Sequence, residues 1–122
     1  MQDLFPHMPP EREQAAMAIY RRLFGQLELG QWDRRGTIIT RSVNGRILNF
    51  ASRRTHCTIG FRGYDAVQFY RFSGGECPAG EVTIKIPYDR AWLADPVRDT
   101  IDWYFHNGPV RGAAGDPPAP VG

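Results

Sequence analysis

The chain has 122 residues, which is room for one domain rather than two. Its apolar fraction of 42% is ordinary for a globular protein and argues against a wholly disordered chain. The net charge of +2 selects no class of partner by itself. No run approaches the ~20 apolar residues that a membrane-spanning helix needs, so we expect no membrane partner.

The cysteine content and the first residues bear on the compartment. Cys57 and Cys77 are too few for the disulfide framework of a small secreted domain. The opening run MQDLFPHMPP has neither the basic region nor the apolar region of a secretory signal. We therefore expect a soluble cytoplasmic protein, and we expect its residues 1–8 to be frayed.

The first predicted element is a helix from about Pro9 to Phe24. Pro9 and Pro10 suit the opening turn of a helix, where a missing N–H costs nothing. Acidic residues near the start and arginines near the end match the helix dipole. The apolar side chains that recur at helical spacing are Ala16, Tyr20, Leu23 and Phe24. This stripe has to pack against another element.

A β-hairpin centred on Asn44-Gly45 is the clearest local prediction. Asn-Gly accepts the positive φ angles of a type I′ turn, whose twist matches that of paired strands. A two-residue loop sets the register of TIITRSV against RILNFAS, so that Ile39 faces Phe50 across the hairpin. Arg46 falls on the same face as these apolar residues, and we expect it at the hairpin tip, beyond the covering helices.

Three more strands and a closing helix are predicted downstream. The strands are HCTIGF at residues 56–61, AVQFYRF at 66–72 and VTIKIPY at 82–88. Pro87 cannot donate to a ladder, so the last strand is expected at an edge of the sheet. A helix from about Asp95 to Asn107 follows, with Asp95 as its N-cap. The segment 109–122, rich in Pro, Gly and Ala, is expected to be a disordered tail.

This order of elements, helix, five strands and helix, predicts the fold class. Short connections favour an antiparallel sheet, and two amphipathic helices can cover one of its faces. We therefore expect an α+β two-layer sandwich of helix, five-stranded antiparallel sheet and helix, in a single domain over residues 9–108. The opposite face would be open to solvent, with His56 and Thr58 pointing towards it.

Positive charge is concentrated in one segment. Between Arg34 and Tyr64 there are seven arginines and no acidic residue, so the rest of the chain carries −5. On an open sheet face, arginines can neutralise phosphates while Phe50, Phe61 and Tyr64 stack on bases. The neutral alternative is that arginine only supplies the polar side of a solvated sheet.

We expect four ligand-binding residues, namely Arg53, Arg54, His56 and Arg62. The arginines would supply forked cationic donors, and His56 a titratable donor. The expected occupant is an anionic ligand, a protein partner or a nucleic acid. No catalytic constellation is visible and no histidine has a metal-ligand spacing, so we expect a non-enzymatic binding domain without cofactor or metal. The neutral alternative for His56 is a surface histidine that is hydrogen-bonded to a neighbour.

The run RTHCTIGF, in which a histidine opens a strand that ends in Gly-Phe, resembles the middle of the YdhG-like family of small domains of unknown function. The leading helix near HMPPEREQ, the strand pair, VTIKIPY and the closing helix extend the resemblance over residues 8–107. It implies a frataxin-like fold, in agreement with the predicted sandwich.

The resemblance also implies iron delivery as an alternative function. For that role the first helix offers only the carboxylates of Glu11 and Glu13, which lie beside arginines. A small enzyme with a pocket centred on His56 is a second alternative, because a deep pocket holding this histidine and a carboxylate would suit acid–base chemistry.

Overall fold

The computed structural model describes residues 4–5, 8–27 and 29–107. They form three helices and one five-stranded antiparallel sheet, which confirms the predicted α+β class. The helices are α1 (Pro10–Phe24), α2 (Asp65–Phe72) and α3 (Ala94–His106). The strands are β1 (Asp33–Arg35), β2 (Ile38–Val43), β3 (Arg46–Ser52), β4 (His56–Phe61) and β5 (Thr83–Pro87). They are paired in chain order, with β1 and β5 at the two edges.

The hairpin between β2 and β3 forms as predicted. Asn44 and Gly45 have φ angles of 53° and 78°, as a type I′ turn requires. Ile39 pairs with Phe50, and the same register continues along both strands. Because side chains alternate between the two faces of a sheet, this register decides which residues point into the core.

One face of the sheet is the floor of the hydrophobic core. Its fully or nearly fully buried side chains are Ile39, Leu48, Phe50, Cys57, Ile59, Phe61, Ile84 and Ile86. The helices pack on this face, where Tyr20 of α1 contacts the Phe50 ring and Tyr104 of α3 contacts the Phe61 ring. The opposite face carries exposed or half-exposed side chains, among them Thr40, Asn49, His56, Thr58 and Lys85. The sheet therefore has a covered face and an open face.

The strand predicted at residues 66–72 is wrong, because these residues belong to helix α2. Its buried residues Ala66, Val67 and Tyr70 lie at helical rather than alternating spacing. The Tyr70 ring lies against Gly75, where a Cβ would come within 2.2 Å of Tyr70 Cζ. The N–H of Cys77 donates to the Tyr70 hydroxyl at 2.9 Å, which folds the following loop back onto the helix. The sheet still has five strands because the three-residue β1, which was not predicted, takes the place of the lost one.

The two ends of the described chain also differ from expectation. Leu4 and Phe5 lie in the segment expected to be frayed, yet both are buried, and their N–H groups donate to the Glu13 carboxylate. Asp95 is not an N-cap, because α3 begins one residue earlier and has no side-chain cap. Asp95 instead forms an exposed ion pair with Arg22 of α1, at 3.2 Å. The expected tail, residues 109–122, lies outside the described residues.

Arg46 is enclosed by the helices rather than placed beyond them. Its side chain is only 12% exposed. Its guanidinium binds both carboxylate oxygens of Asp65, at 3.0 and 2.8 Å, and lies 4.6 Å from the centre of the Tyr104 ring. It also donates to the carbonyl of Asn107 at 2.6 Å. One arginine thus joins the hairpin to the start of α2 and the end of α3.

Replacing Arg46 by methionine should lower the free energy of unfolding by about 3 kcal/mol, because the Asp65 carboxylate would stay largely buried without its partner. Arg22→Met is the matched control and should cost less than about 1 kcal/mol, since the Arg22–Asp95 pair is exposed to water. Urea unfolding of both variants measures the two losses. Equally small losses would show that the Arg46 pair does not hold the helices in place.

Candidate functional site

The open face carries a cluster of cationic side chains where β3 turns into β4. The N–H of Arg53 donates to the carbonyl of His56 at 2.8 Å, which closes a short turn. Arg53 and Arg54 are exposed, and His56 begins β4 on the open face. Lys85 pairs with Thr58 on β5, which places it diagonally across from His56 on the same face, with about 7–8 Å between Cα atoms. We call Arg53, Arg54, His56 and Lys85 the cationic corner.

A shallow, open depression of about 450 Å³ lies beside this corner. Pro78, Pro87 and the Tyr88 ring give it apolar walls, while Lys85 and Asp89 contribute opposite charges. The full set of lining residues is Thr55, His56, Pro78, Lys85, Pro87, Tyr88 and Asp89. A depression this open suits the binding of a surface ligand better than the enclosure of a reaction.

The charges of the cationic corner are not balanced locally. Within residues 4–5, 8–27 and 29–107, none of Arg53, Arg54 and Lys85 forms an ion pair with a carboxylate. Burial lowers the pKa of His56 below its usual value of 6.5, and the positive charges of Lys85 and Arg53 lower this pKa further. His56 Nδ1 lies 3.1 Å from the hydroxyl oxygen of Thr55. The cationic corner is therefore electropositive, and the His56 imidazole within it is less basic than an ordinary histidine.

Tyr88 fixes the position of this turn. Its hydroxyl donates to the carbonyl of Arg53 at 2.6 Å and lies 2.5 Å from the hydroxyl oxygen of Ser52. Arg12 of α1 donates to the Ser52 carbonyl at 3.0 Å and to the Ser52 hydroxyl oxygen at 3.3 Å. Burial raises the pKa of the Tyr88 phenol, which keeps the hydroxyl protonated at neutral pH. The cationic corner is thus tied to the sheet and to the first helix.

The structure brings together three of the four residues that the sequence predicts. Arg53, Arg54 and His56 are neighbours in the turn, but Arg62 follows the other end of β4, roughly 20 Å away along the strand. There its backbone N–H donates to the Tyr104 hydroxyl at 2.9 Å. Lys85 joins this group only through the pairing of β5 with β4.

The expectation of a base-stacking surface is wrong for two of its three rings. Phe50 and Phe61 are 0% and 6% exposed and point into the core. Tyr64 is exposed, but it lies beyond the far end of β4, close in sequence to Arg62. The open face therefore keeps the positive charge of the nucleic-acid hypothesis without the stacking rings that the hypothesis named.

The residues expected for iron binding do not form a suitable ligand set. Glu13 already accepts hydrogen bonds from the N–H groups of Leu4 and Phe5, and Glu11 stands exposed on α1. In the part of the chain that the structure describes, no group of three or more His, Cys, Asp or Glu side chains could hold a metal ion. The iron-delivery alternative therefore has no support in the arrangement of these carboxylates.

The two thiols are unsuited to nucleophilic chemistry. Cys57 and Cys77 are both buried and unpaired. Burial raises the pKa of Cys57 to about 12, and burial also raises the pKa of Cys77. Because the thiolate is the reactive form, neither residue offers a nucleophile at neutral pH.

Comparison of the chain with models of protein families, with curated proteins and with solved structures found no match. The resemblance to the YdhG-like family therefore stays a prediction. None of the helices formed by the described residues is long and apolar enough to cross a membrane.

Replacing Tyr88 by phenylalanine should lower the free energy of unfolding by about 1–2 kcal/mol, because Ser52 and the Arg53 carbonyl lose a shared partner. Amide hydrogen exchange at residues 53–56 should become faster as the turn loosens. Tyr64→Phe removes an exposed hydroxyl and serves as the control with little expected effect. Unchanged exchange in the turn of the Tyr88 variant would show that the phenol does not position the cationic corner.

Proposed function

We propose that this chain is a non-enzymatic binding domain that holds an anionic group, a phosphate or a carboxylate, at the cationic corner. The observation that carries the proposal is the position of Arg53, Arg54 and Lys85 around His56 without an ion-paired carboxylate among the described residues. Cations without a partner attract anions, and arginine adds forked hydrogen-bond donors that match phosphate and carboxylate oxygens.

Binding is favoured over catalysis by the shape of the site. Catalytic groups act most strongly where water is excluded, whereas the depression beside His56 is open to solvent. A bound anion would here replace water on exposed arginine and lysine side chains. Such binding is weak and sensitive to salt, because surface charges are screened within about 10 Å at ordinary ionic strength.

The His56 ring links anion binding to pH. A bound anion stabilises the imidazolium, so it should raise the His56 pKa, and protonation should in turn strengthen binding. The groups that surround the ring are Arg53 on the β3 side, Lys85 on β5 and Thr55 in the turn, and Asp89 lines the same depression. The gain in affinity should occur as the pH falls from the His56 pKa of the complex to the His56 pKa of the free protein, which lies below 6.5.

Titration with pyrophosphate at low ionic strength, followed by NMR at the His56 ring and the amides of residues 53–56, tests the proposal. We expect saturable shifts, a raised His56 pKa, and tighter binding at about pH 5.5 than at about pH 7.5. Arg53→Gln and Lys85→Gln should each weaken binding roughly 1.5- to 5-fold. Arg62→Gln changes the net charge equally and should leave the affinity unchanged.

Two results would contradict the proposal. One is a titration without saturation at the cationic corner. The other is an equal loss of affinity in the Arg62 variant, which would show that only the net charge of the protein matters.

A depressed His56 pKa also makes folding sensitive to pH. As the pH falls, the His56 imidazole of the unfolded chain takes up a proton near pH 6.5, and that of the folded chain does so at a lower pH. The free energy of unfolding should therefore fall as the pH drops from about 7 through 6.5. Pyrophosphate should reduce this loss, since it binds the protonated folded form. Thermal unfolding at several pH values, with His56→Gln as the control, measures the effect. A His56→Gln variant with the same pH dependence as the parent would show that other groups cause it.

A further inference from the structure

The depression beside the cationic corner also holds a carboxylate that anion binding does not use. Asp89 is exposed, lines the depression and forms no ion pair with any other described residue. A carboxylate next to an anion site weakens the binding of a simple anion by repulsion. Its presence is favourable only when the ligand brings a positive charge to it.

The depression is lined by side chains of both charges, Lys85 in β5 and Asp89 after it. Lys85 lies in β5, and Asp89 lies in the short 3₁₀ helix Tyr88–Leu93 that follows this strand. Their Cα atoms are therefore less than roughly 13 Å apart, the length of four extended residues. The charges that influence His56 are those of Lys85 and Arg53, and Asp89 is not among them. Pro87 stands between Lys85 and Asp89 along the chain and lines the same depression with apolar surface.

The spacing of these charges is held by the hydrogen bonds of Tyr88. This residue precedes Asp89, and its hydroxyl donates to the carbonyl of Arg53. Its backbone N–H donates to the carbonyl of Thr55 at 3.2 Å. The residue before Asp89 is therefore tied to the turn of the cationic corner by one side-chain and one backbone hydrogen bond, which pre-organises the spacing of the charges.

We infer that the depression binds a zwitterion, with its anionic group at the cationic corner, a primary amine or similar cation at Asp89, and a short apolar link over Pro87. The inference rests on the proposed function and names the class of ligand for the same site. Each exposed ion pair contributes little alone. Joining the two charges in one molecule makes the second contact intramolecular and therefore more favourable.

A matched series of phosphates tests this inference. Alkyl phosphates and the corresponding ω-aminoalkyl phosphates, with two to six methylene groups, are titrated against the protein by NMR at low ionic strength. At the best chain length, the amino form should bind about two- to fivefold more tightly than the plain alkyl form. Asp89→Asn should remove this preference and leave the affinity for alkyl phosphates at least as high. Asp99→Asn, which changes an exposed carboxylate on α3, should keep the preference.

The outcomes separate the inference from the function it rests on. Equal binding of the amino and plain forms at every length, or a preference that survives Asp89→Asn, overturns the zwitterion while the anion site stands. Failure of every phosphate to bind at the cationic corner overturns the proposed function, and the inference falls with it.

Discussion

The register of the two-residue turn at Asn44-Gly45 decides what each face of this sheet becomes. A slip of one residue would turn Ile39 and Phe50 to solvent and bring polar side chains into the core. β4 and β5 then add to β3 with their own apolar residues on the covered side. The same alternation puts His56 on the open side. The core and the cationic corner are therefore two results of one strand register.

Hydrogen bonds and ion pairs secure the sheet at both ends. At the hairpin tip, Arg46 binds Asp65, and the Tyr104 hydroxyl donates to the carbonyl of Ile47 at 2.6 Å and accepts the N–H of Arg62. At that end the charge of Arg46 and the Tyr104 hydroxyl are engaged within the fold. At the other end, Tyr88 holds the turn in place by donating hydrogen bonds to the carbonyl groups of Arg53 and Thr55. The side chains of that turn are left to face solvent.

The parts of the fold that sequence patterns predict are those with a strong local signal. Alternation and the Asn-Gly turn predict the hairpin, and proline and glycine mark the ends of the first helix. Helix α2 was missed because it is short and rich in residues that favour strands, and its packing depends on Tyr70 meeting Gly75. Arg53, Arg54 and His56 lie together because they are adjacent in sequence, whereas Lys85 and Asp89 come near them only through the pairing of β5 with β4. Arg62 was included because a charge count along the chain does not distinguish the two ends of a strand.

The buried phenols that organise this protein also set an upper limit on the pH at which it stays folded. Tyr70, Tyr88 and Tyr104 keep their protons longer in the native state than in the unfolded chain, because burial raises their pKa values, that of Tyr70 to about 12. Above about pH 10 the unfolded chain therefore releases protons that the native state retains, and the balance shifts towards unfolding. Alkali would thus weaken the turn at the cationic corner, since a phenolate cannot donate the hydrogen bond that Tyr88 gives to the carbonyl of Arg53.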